Sequence, residues 1–292
     1  MKCSSLVAPG LALVAAGLMG LALPGCGSST AQADRSRAPE PKEQPTEPKD
    51  QPKISPTAPS GGTGKGMAAI KQAADAGKYL FVFFSKTEDD QTLAMRKVFD
   101  KALEKVADRA QGVAVKITDP SEGAMVEKFG VDRAPMPLVL AMAPNGAITG
   151  GFPNKFEEQQ LLDAFATPGT EKVMKQLQDG KLVFVCVQNG KTKSNDAAMQ
   201  GVRDFKTDAR FASATEIVTL DPTDKKEATF LTDLKVPPDT AEAITVFVAP
   251  PGTALGKFEG ATNKDAFVEV LSKANTSCGP GGCGPSGCGP KK

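Results

Sequence analysis

The stretches "KQAADAGKYLFVFFS" (71–85) and "KQLQDGKLVFVCVQ" (175–188) lie over one another, with Gly77-Lys78 against Gly180-Lys181 at an offset of 103 residues. The agreement continues downstream. "KITDP" matches "VTLDP", setting Asp119-Pro120 against Asp221-Pro222 at an offset of 102. "LVLAMAPNG" then matches "TVFVAPPGT", and "FEEQQLLDAF" matches "KDAFVEVL". A period this long does not describe a solenoid, whose short units lean on their neighbours; each copy is large enough to bury a core of its own. Two like domains are therefore expected, joined near "ATPGTEK".

Within the first copy, a short helix from Met67 stops at Gly77 and a continuous apolar run, Tyr79 to Phe84, follows. An apolar run without alternation indicates a strand covered on both faces. The segment "TLAMRKVFDKALEKVADRAQG" reads as a helix with Leu93, Val98, Leu103 and Val106 on or near one face and Gly112 at its close. Then come a strand ("VAVKITD"), a short helix ("SEGAMVEKFG"), a strand ("LVLAMA"), a turn at "PNG", a strand ("AITGGF") and a helix ("FEEQQLLDAFA"). The order is β-α-β-α-β-β-α after a leading helix, and the second copy follows it.

The stretch "EKFGVDRAPMPLVLAMAPNGAITGGF", with "AADAGKYLFVFFSKTEDDQTLAMRKVFDKAL" upstream, resembles the thioredoxin family. The resemblance implies an α/β fold class: two tandem thioredoxin-like domains, 67–168 and 169–275, each a central mixed sheet flanked by helices. It also implies a cis-proline. Spacing to the following turn glycine favours Pro137, and spacing from Val131 favours Pro135; Pro137 is preferred. Redox-active members carry Cys-x-x-Cys after the first long strand, where a helix N-terminus lowers the pKa of the first thiol. Here that loop reads "FFSKTEDDQTLAM", with Asp89 and Thr92 near the cysteine positions, and neither can form a disulfide. The acids Glu88, Asp89 and Asp90 suit a helix entrance, with Thr87 expected as the N-cap. In the second copy the lone Cys186 lies inside the apolar strand, where a cysteine acts as a small hydrophobe with a raised pKa.

Composition narrows the chemistry further. Among 292 residues there is no histidine, which excludes Ser-His-Asp and Cys-His nucleophiles and imidazole ligation. With 35 basic against 34 acidic residues and no basic run, the chain has no electrostatic footprint for nucleic acid, and with no tryptophan and a single tyrosine, Tyr79, stacking platforms for bases are scarce. The "GTGKG" segment is not a phosphate loop: Pro59 stands where the first glycine would be and Gly66 where Ser or Thr is needed. No nucleic-acid or nucleotide partner is expected.

The flanks carry their own signals. Lys2 precedes the apolar stretch "LALVAAGLMGLAL" (11–23), too short for a membrane span, and "LPGCGSS" resembles the bacterial lipobox. That resemblance implies a lipoprotein signal peptide over 1–25, acylation of Cys26 and a membrane partner held through its lipid. The alternative is an ordinary signal peptide or an uncleaved anchor with an incidental Cys26. Gly27 is not the inner-membrane retention residue of such families, which favours an outer membrane facing the periplasm, or the cell surface. Residues 26–66 hold seven prolines between Pro39 and Pro59 and are expected to form a disordered linker, extended at roughly 3 Å per residue. The closing segment, 276–292, is expected to be a disordered Gly/Pro/Cys tail carrying Cys278, Cys283 and Cys288. These thiols could crosslink, hold a soft ion such as Cu(I) or Zn(II), or have no defined role. No other cofactor is expected. The expected function is non-enzymatic: an exported, membrane-tethered lipoprotein acting as a protein-binding or scaffold module for envelope proteins or peptides. The alternative is a thiol-disulfide oxidoreductase or soft-metal handling protein that uses the tail.

Overall fold

The computed structural model describes residues 64–276. Cys26, Cys278, Cys283 and Cys288, the leader, and the Pro-rich stretch up to residue 63 lie outside the described residues. The first repeat runs α1 (Lys65–Asp75), β1 (Tyr79–Ser85), α2 (Asp90–Lys105), β2 (Ala110–Lys116), α3 (Gly123–Phe129), β3 (Leu138–Met142), β4 (Ile148–Pro153) and α4 (Glu158–Leu162). The second runs α5 (Pro168–Gln178), β5 (Leu182–Val187), α6 (Asn195–Thr207), β6 (Thr215–Leu220), α7 (Ala228–Asp233), β7 (Ile244–Ala249), β8 (Thr253–Glu259) and α8 (Lys264–Thr276).

Two four-stranded mixed sheets result, ordered β2-β1-β3-β4 and β6-β5-β7-β8. In each, the first strand pairs in parallel with the second and antiparallel with the third, and the last strand pairs antiparallel at the edge. That order and pairing make both repeats thioredoxin-like. Phe83 and Cys186 occupy the same register position: Phe83 lies between Ala114 and Val139, Cys186 between Thr219 and Thr245.

The apolar run of β1 lacks alternation because both of its faces are covered. Phe81 and Phe83 pack with Phe99, Ala102, Phe156 and Leu161, while Leu80, Val82 and Phe84 pack with Val115, Met125, Val131 and Leu140. In β5, Val183, Val185 and Val187 face Val173, Leu177 and Leu231, and Phe184 and Cys186 face Val202, Phe205, Phe247 and Phe267. Full burial of each such side chain contributes about 1.5–3 kcal/mol before entropy is counted.

Two sequence expectations fail within α2 and β2. Gly112 does not close the helix; α2 ends at Lys105 and Gly112 sits inside β2, opposite Phe81. A Cβ there would lie 2.0 Å from Leu103 Cδ1, so the glycine makes room for a side chain of α2 crossing the sheet. Leu93 is half exposed, at 50%, although it was expected on the apolar face. The buried face of α2 is Thr92, Phe99 and Ala102, and with 3.6 residues per turn Leu93 points about a third of a turn away from it.

Both repeats lock their leading helix in the same way. The Gly66 N–H donates to the Glu122 carboxylate at 3.0 Å, and the Gly169 N–H donates to Glu227 at 2.7 Å. The Thr167 hydroxyl adds a second donor to Glu227 at 2.6 Å. Glu122 and Glu227 are only 4% and 5% exposed. A buried carboxylate is tolerable there because helix N-terminal amides and the helix dipole face it.

The repeats meet across α5. The Tyr79 hydroxyl donates to the Glu171 carboxylate at 2.5 Å and accepts from the Ala166 N–H at 2.9 Å. The Gln178 side-chain amide bonds both backbone groups of Ile148, accepting from its N–H at 2.8 Å and donating to its C=O at 2.7 Å. Asn145 Nδ2 donates to the Glu171 carbonyl at 2.9 Å, and the Arg109 guanidinium lies 3.9 Å from the Phe165 ring centroid.

Candidate functional site

The site of interest in each repeat is the end of the sheet where the first strand gives way to the following helix. In the first repeat, Ser85 ends β1 and the four residues Lys86–Asp89 lead into α2. Asp89, not Thr87, is the N-cap. Its carboxylate accepts from the Thr92 N–H and from the Thr87 hydroxyl, each at 2.8 Å. These bonds, the Thr92 amide foremost, hold the Asp89 carboxyl below the usual range. Thr87 was a plausible cap by type, but Asp89 stands immediately before the first helical residue, within reach of the free amide of Thr92, and takes the position. The residues at the expected dithiol positions are therefore tied to each other by a helix cap.

This entrance connects to the proline loop through backbone groups. Gln91 Nε2 donates to the Asn154 carbonyl at 3.1 Å, and the Asn154 N–H donates to the Pro137 carbonyl at 2.7 Å. Asn154 reaches both partners from the left-handed region, at φ 63°. The Met136–Pro137 peptide is cis; Pro137 is buried and Pro135 is exposed. Among the described residues, the Met136 N–H and C=O make no hydrogen bond. Asp89, Thr92 and Pro137 thus share one rim. An open depression of about 460 Å³ is lined by Ile117, Asp119, Gly130 and Asp132, none of them a residue of this rim.

The second repeat builds the same rim differently. Seven residues, Gln188–Ser194, join β5 to α6, three more than in the first repeat. They are pinned by their own polar groups. The Thr192 hydroxyl takes the Asn189 N–H at 2.9 Å and meets Asn195 Oδ1 at 2.7 Å, while Asn189 Nδ2 donates to Asp221 at 2.8 Å. Lys193 then forms a parallel bridge with Glu242: its N–H donates to the Ala241 carbonyl and its C=O accepts from the Ala243 N–H, both at 2.9 Å. The Gly260 N–H donates to the Ala243 carbonyl at 2.8 Å, as Asn154 does to Pro137. Ala243 therefore stands where Pro137 stands.

Cys186 lies beneath this rim, 2% exposed, and burial pushes its thiol up to about 12 against a weaker opposing bond to Thr245. A thiol so placed is not a nucleophile near neutral pH. Among the described residues, no group of three or more Cys, Asp or Glu side chains is arranged to hold a metal ion. No described helix is long and apolar enough to cross a membrane. Sequence reasoning did not find the Gln91–Asn154–Pro137 tie or the Lys193 bridge. The only available signal for the bridge was the longer loop "QNGKTKS".

No family model matches the chain, and no curated protein sequence matches it. Several solved structures are similar in fold. Oxidised thioredoxin O2 from Arabidopsis thaliana is 14% identical, over 33% of this chain and 79% of that one, at a TM-score of 0.28. A disulphide isomerase from Xylella fastidiosa Temecula1 is 14% identical, over 33% and 82%, at 0.26. The first two thioredoxin domains of Saccharomyces cerevisiae Eps1p are 10% identical, over 70% and 94%, at 0.26.

Proposed function

We propose that this chain is a non-catalytic binding module in which the first repeat takes up an extended polypeptide segment along the Met136 edge. The observation that carries this reading is the Met136 N–H and C=O, unpaired among the described residues, beside a helix entrance whose expected thiol positions hold Asp89 and Thr92. A strand laid along an open backbone edge gains main-chain hydrogen bonds, and neighbouring side chains set its preference. Pro137 has no N–H, so a strand must pair with the N–H and C=O of Met136 itself, which is an antiparallel bridge. Exposed Glu88, Asp89 and Asp90, with half-exposed Leu93, favour a segment that alternates basic and apolar residues.

The test is fluorescence anisotropy with a labelled alternating Lys-Val octapeptide. Met136→Pro removes the donor and should weaken binding by about tenfold or more, the value of one lost hydrogen bond and its register. Met136→Ala keeps the backbone and should bind nearly as wild type. Equal affinity for both variants would reject the reading.

Delivery to the envelope is part of the same proposal. The lipobox-like "LPGCGSS" supports a lipid on Cys26 that holds the repeats at a membrane surface, an outer membrane being favoured by Gly27. Cys26→Ser should release the protein from the membrane fraction and remove the acyl mass; unchanged mass and fractionation would reject the tether. The oxidoreductase alternative predicts disulfide-reducing activity that disappears when Cys278, Cys283 and Cys288 are replaced together.

A further inference from the structure

We propose that the open depression beside α3 receives the Lys53–Ile54 segment of this chain's own N-terminal stretch, folded back onto the first repeat. The proposal stands apart from the Met136 edge, with which it shares no residue. The upstream chain begins at the border of the depression. Gly64, the first described residue, is buried, and a Cβ on it would lie 2.4 Å from the Ser121 carbonyl oxygen. Ser121 follows Pro120, which lines the depression together with Ile117, Val126 and three acids, Asp119, Glu127 and Asp132. Ile117 and Val126 are half-buried, the acids are exposed, and no basic residue belongs to the lining. Asp119 accepts from the Ser121 N–H at 2.9 Å and feels the charge of Lys65, and Asp132 lies 3.6 Å from Arg133 Nε. Glu127 has no ion-pair partner among the described residues. The upstream sequence matches this surface in kind. Between Gly27 and Gly62, Ile54 is the one residue of the Val, Ile, Leu, Met or Phe type, and it directly follows Lys53. An aliphatic side chain beside a cation complements two half-buried aliphatics beside an unpaired carboxylate. Pro52 and Pro56 fix φ close to either side, so less chain entropy is lost on docking. Reach is sufficient. Ten residues separate Ile54 from Gly64, up to about 30 Å of chain, whereas α3, with seven residues, is about 10 Å long. The surplus includes Gly61 and Gly62, where the chain can reverse. Because the segment is tethered, its effective concentration is in the millimolar range and a shallow site suffices. The second repeat lacks the match: Thr232 is the fifth residue of α7 where Glu127 is the fifth of α3, and its chain arrives from α4.

Initial rates of trypsin cleavage on the intact chain read the docking. The bond followed is Lys53–Ile54, with Arg37–Ala38 in the same chain as the internal reference. A synthetic peptide of residues 31–63 gives the intrinsic ratio of the two rates. In wild type the Lys53–Ile54 bond should be cut about tenfold more slowly than that ratio predicts, an intramolecular equilibrium constant of about 10. Glu127→Lys, at an exposed position, and Ile54→Ser, outside the described residues, should each return the ratio to that of the matching peptide, with the melting transition unchanged. Wild-type cleavage at the peptide ratio would overturn the proposal. Protection that survives either variant would also overturn it, because the segment would then be held elsewhere on the protein. So would protection that rises with protein concentration, since the segment would then come from a second copy.

Discussion

Cys186 shows how completely position governs reactivity. Its sulfur sits in the central strand among Phe184, Val202, Phe205, Phe247 and Phe267, where a thiolate has no solvation to replace. In a variant lacking the tail cysteines, Cys186 should resist iodoacetamide at pH 8 while folded and react within minutes once the protein is unfolded in guanidinium; rapid labelling of folded protein would show the burial to be wrong. The paired glutamates are a second residue-scale device. A Cβ on Gly169 would fall 2.6 Å from a Glu227 oxygen and 2.7 Å from Leu220 Cδ2. Gly169→Ala should therefore destabilise by about 1–3 kcal/mol, as overpacking at a closed site does, readable as a lower denaturant midpoint. The glutamate lock was not visible in sequence. The stretches around Glu122 and Glu227 give no sign of it, because the amides that satisfy these carboxylates belong to Gly66 and Gly169, far upstream in the chain. The burial of Cys186, in contrast, was legible from the apolar run around it.

At the scale of elements, the α2 entrance and the α6 entrance solve one problem in two ways. Asp89 caps α2 with a charged side chain, while α6 begins after Ser194 in the left-handed region, at φ 61°, with no side-chain cap. The Asp89 carboxyl is held low, so its contribution is present above the ordinary aspartate range and is lost as pH falls through the depressed value. Asp89→Asn, which keeps a capping oxygen, should flatten this acid limb of the melting curve; an unchanged limb would assign the pH dependence elsewhere. The strands and their order along the chain followed from apolar runs and turn glycines, while a special proline, Pro137 or Pro135, was an implication of the thioredoxin resemblance. The helix faces did not follow as well. Leu93 and Gly112 were misplaced because the angle at which α2 crosses the sheet, with Leu103 over Gly112, is a tertiary fact. The Lys193 bridge belongs to the same class, since a loop's length shows that it can reach an edge but not that it lies down on it.

Across the whole molecule, the junction at α5 joins stability to pH. Burial, with a further push from Glu227, raises the Glu171 carboxyl above its ordinary range, opposed by the Tyr79 hydroxyl bond. A raised acid favours the folded junction while protonated, and that contribution is lost as pH rises through the folded value. Glu171→Gln should therefore remove a fall in melting temperature between mildly acidic and neutral pH, and parallel profiles for variant and wild type would count against it. Tyr79→Phe leaves the Ala166 N–H without its acceptor and should cost about 1–3 kcal/mol. The same junction also bears on how the chain avoids self-association. β4 is an edge strand of the first sheet, and an uncovered edge is a template on which another chain can grow a sheet. Gln178 takes both backbone groups of Ile148, so α5 stands as a guard at the start of that edge. The arrangement has a direction: the guard of the first sheet is the helix that opens the repeat after it. A chain built with its repeats in reverse order would keep both folds and lose that guard, and it would be the version that aggregates on concentration.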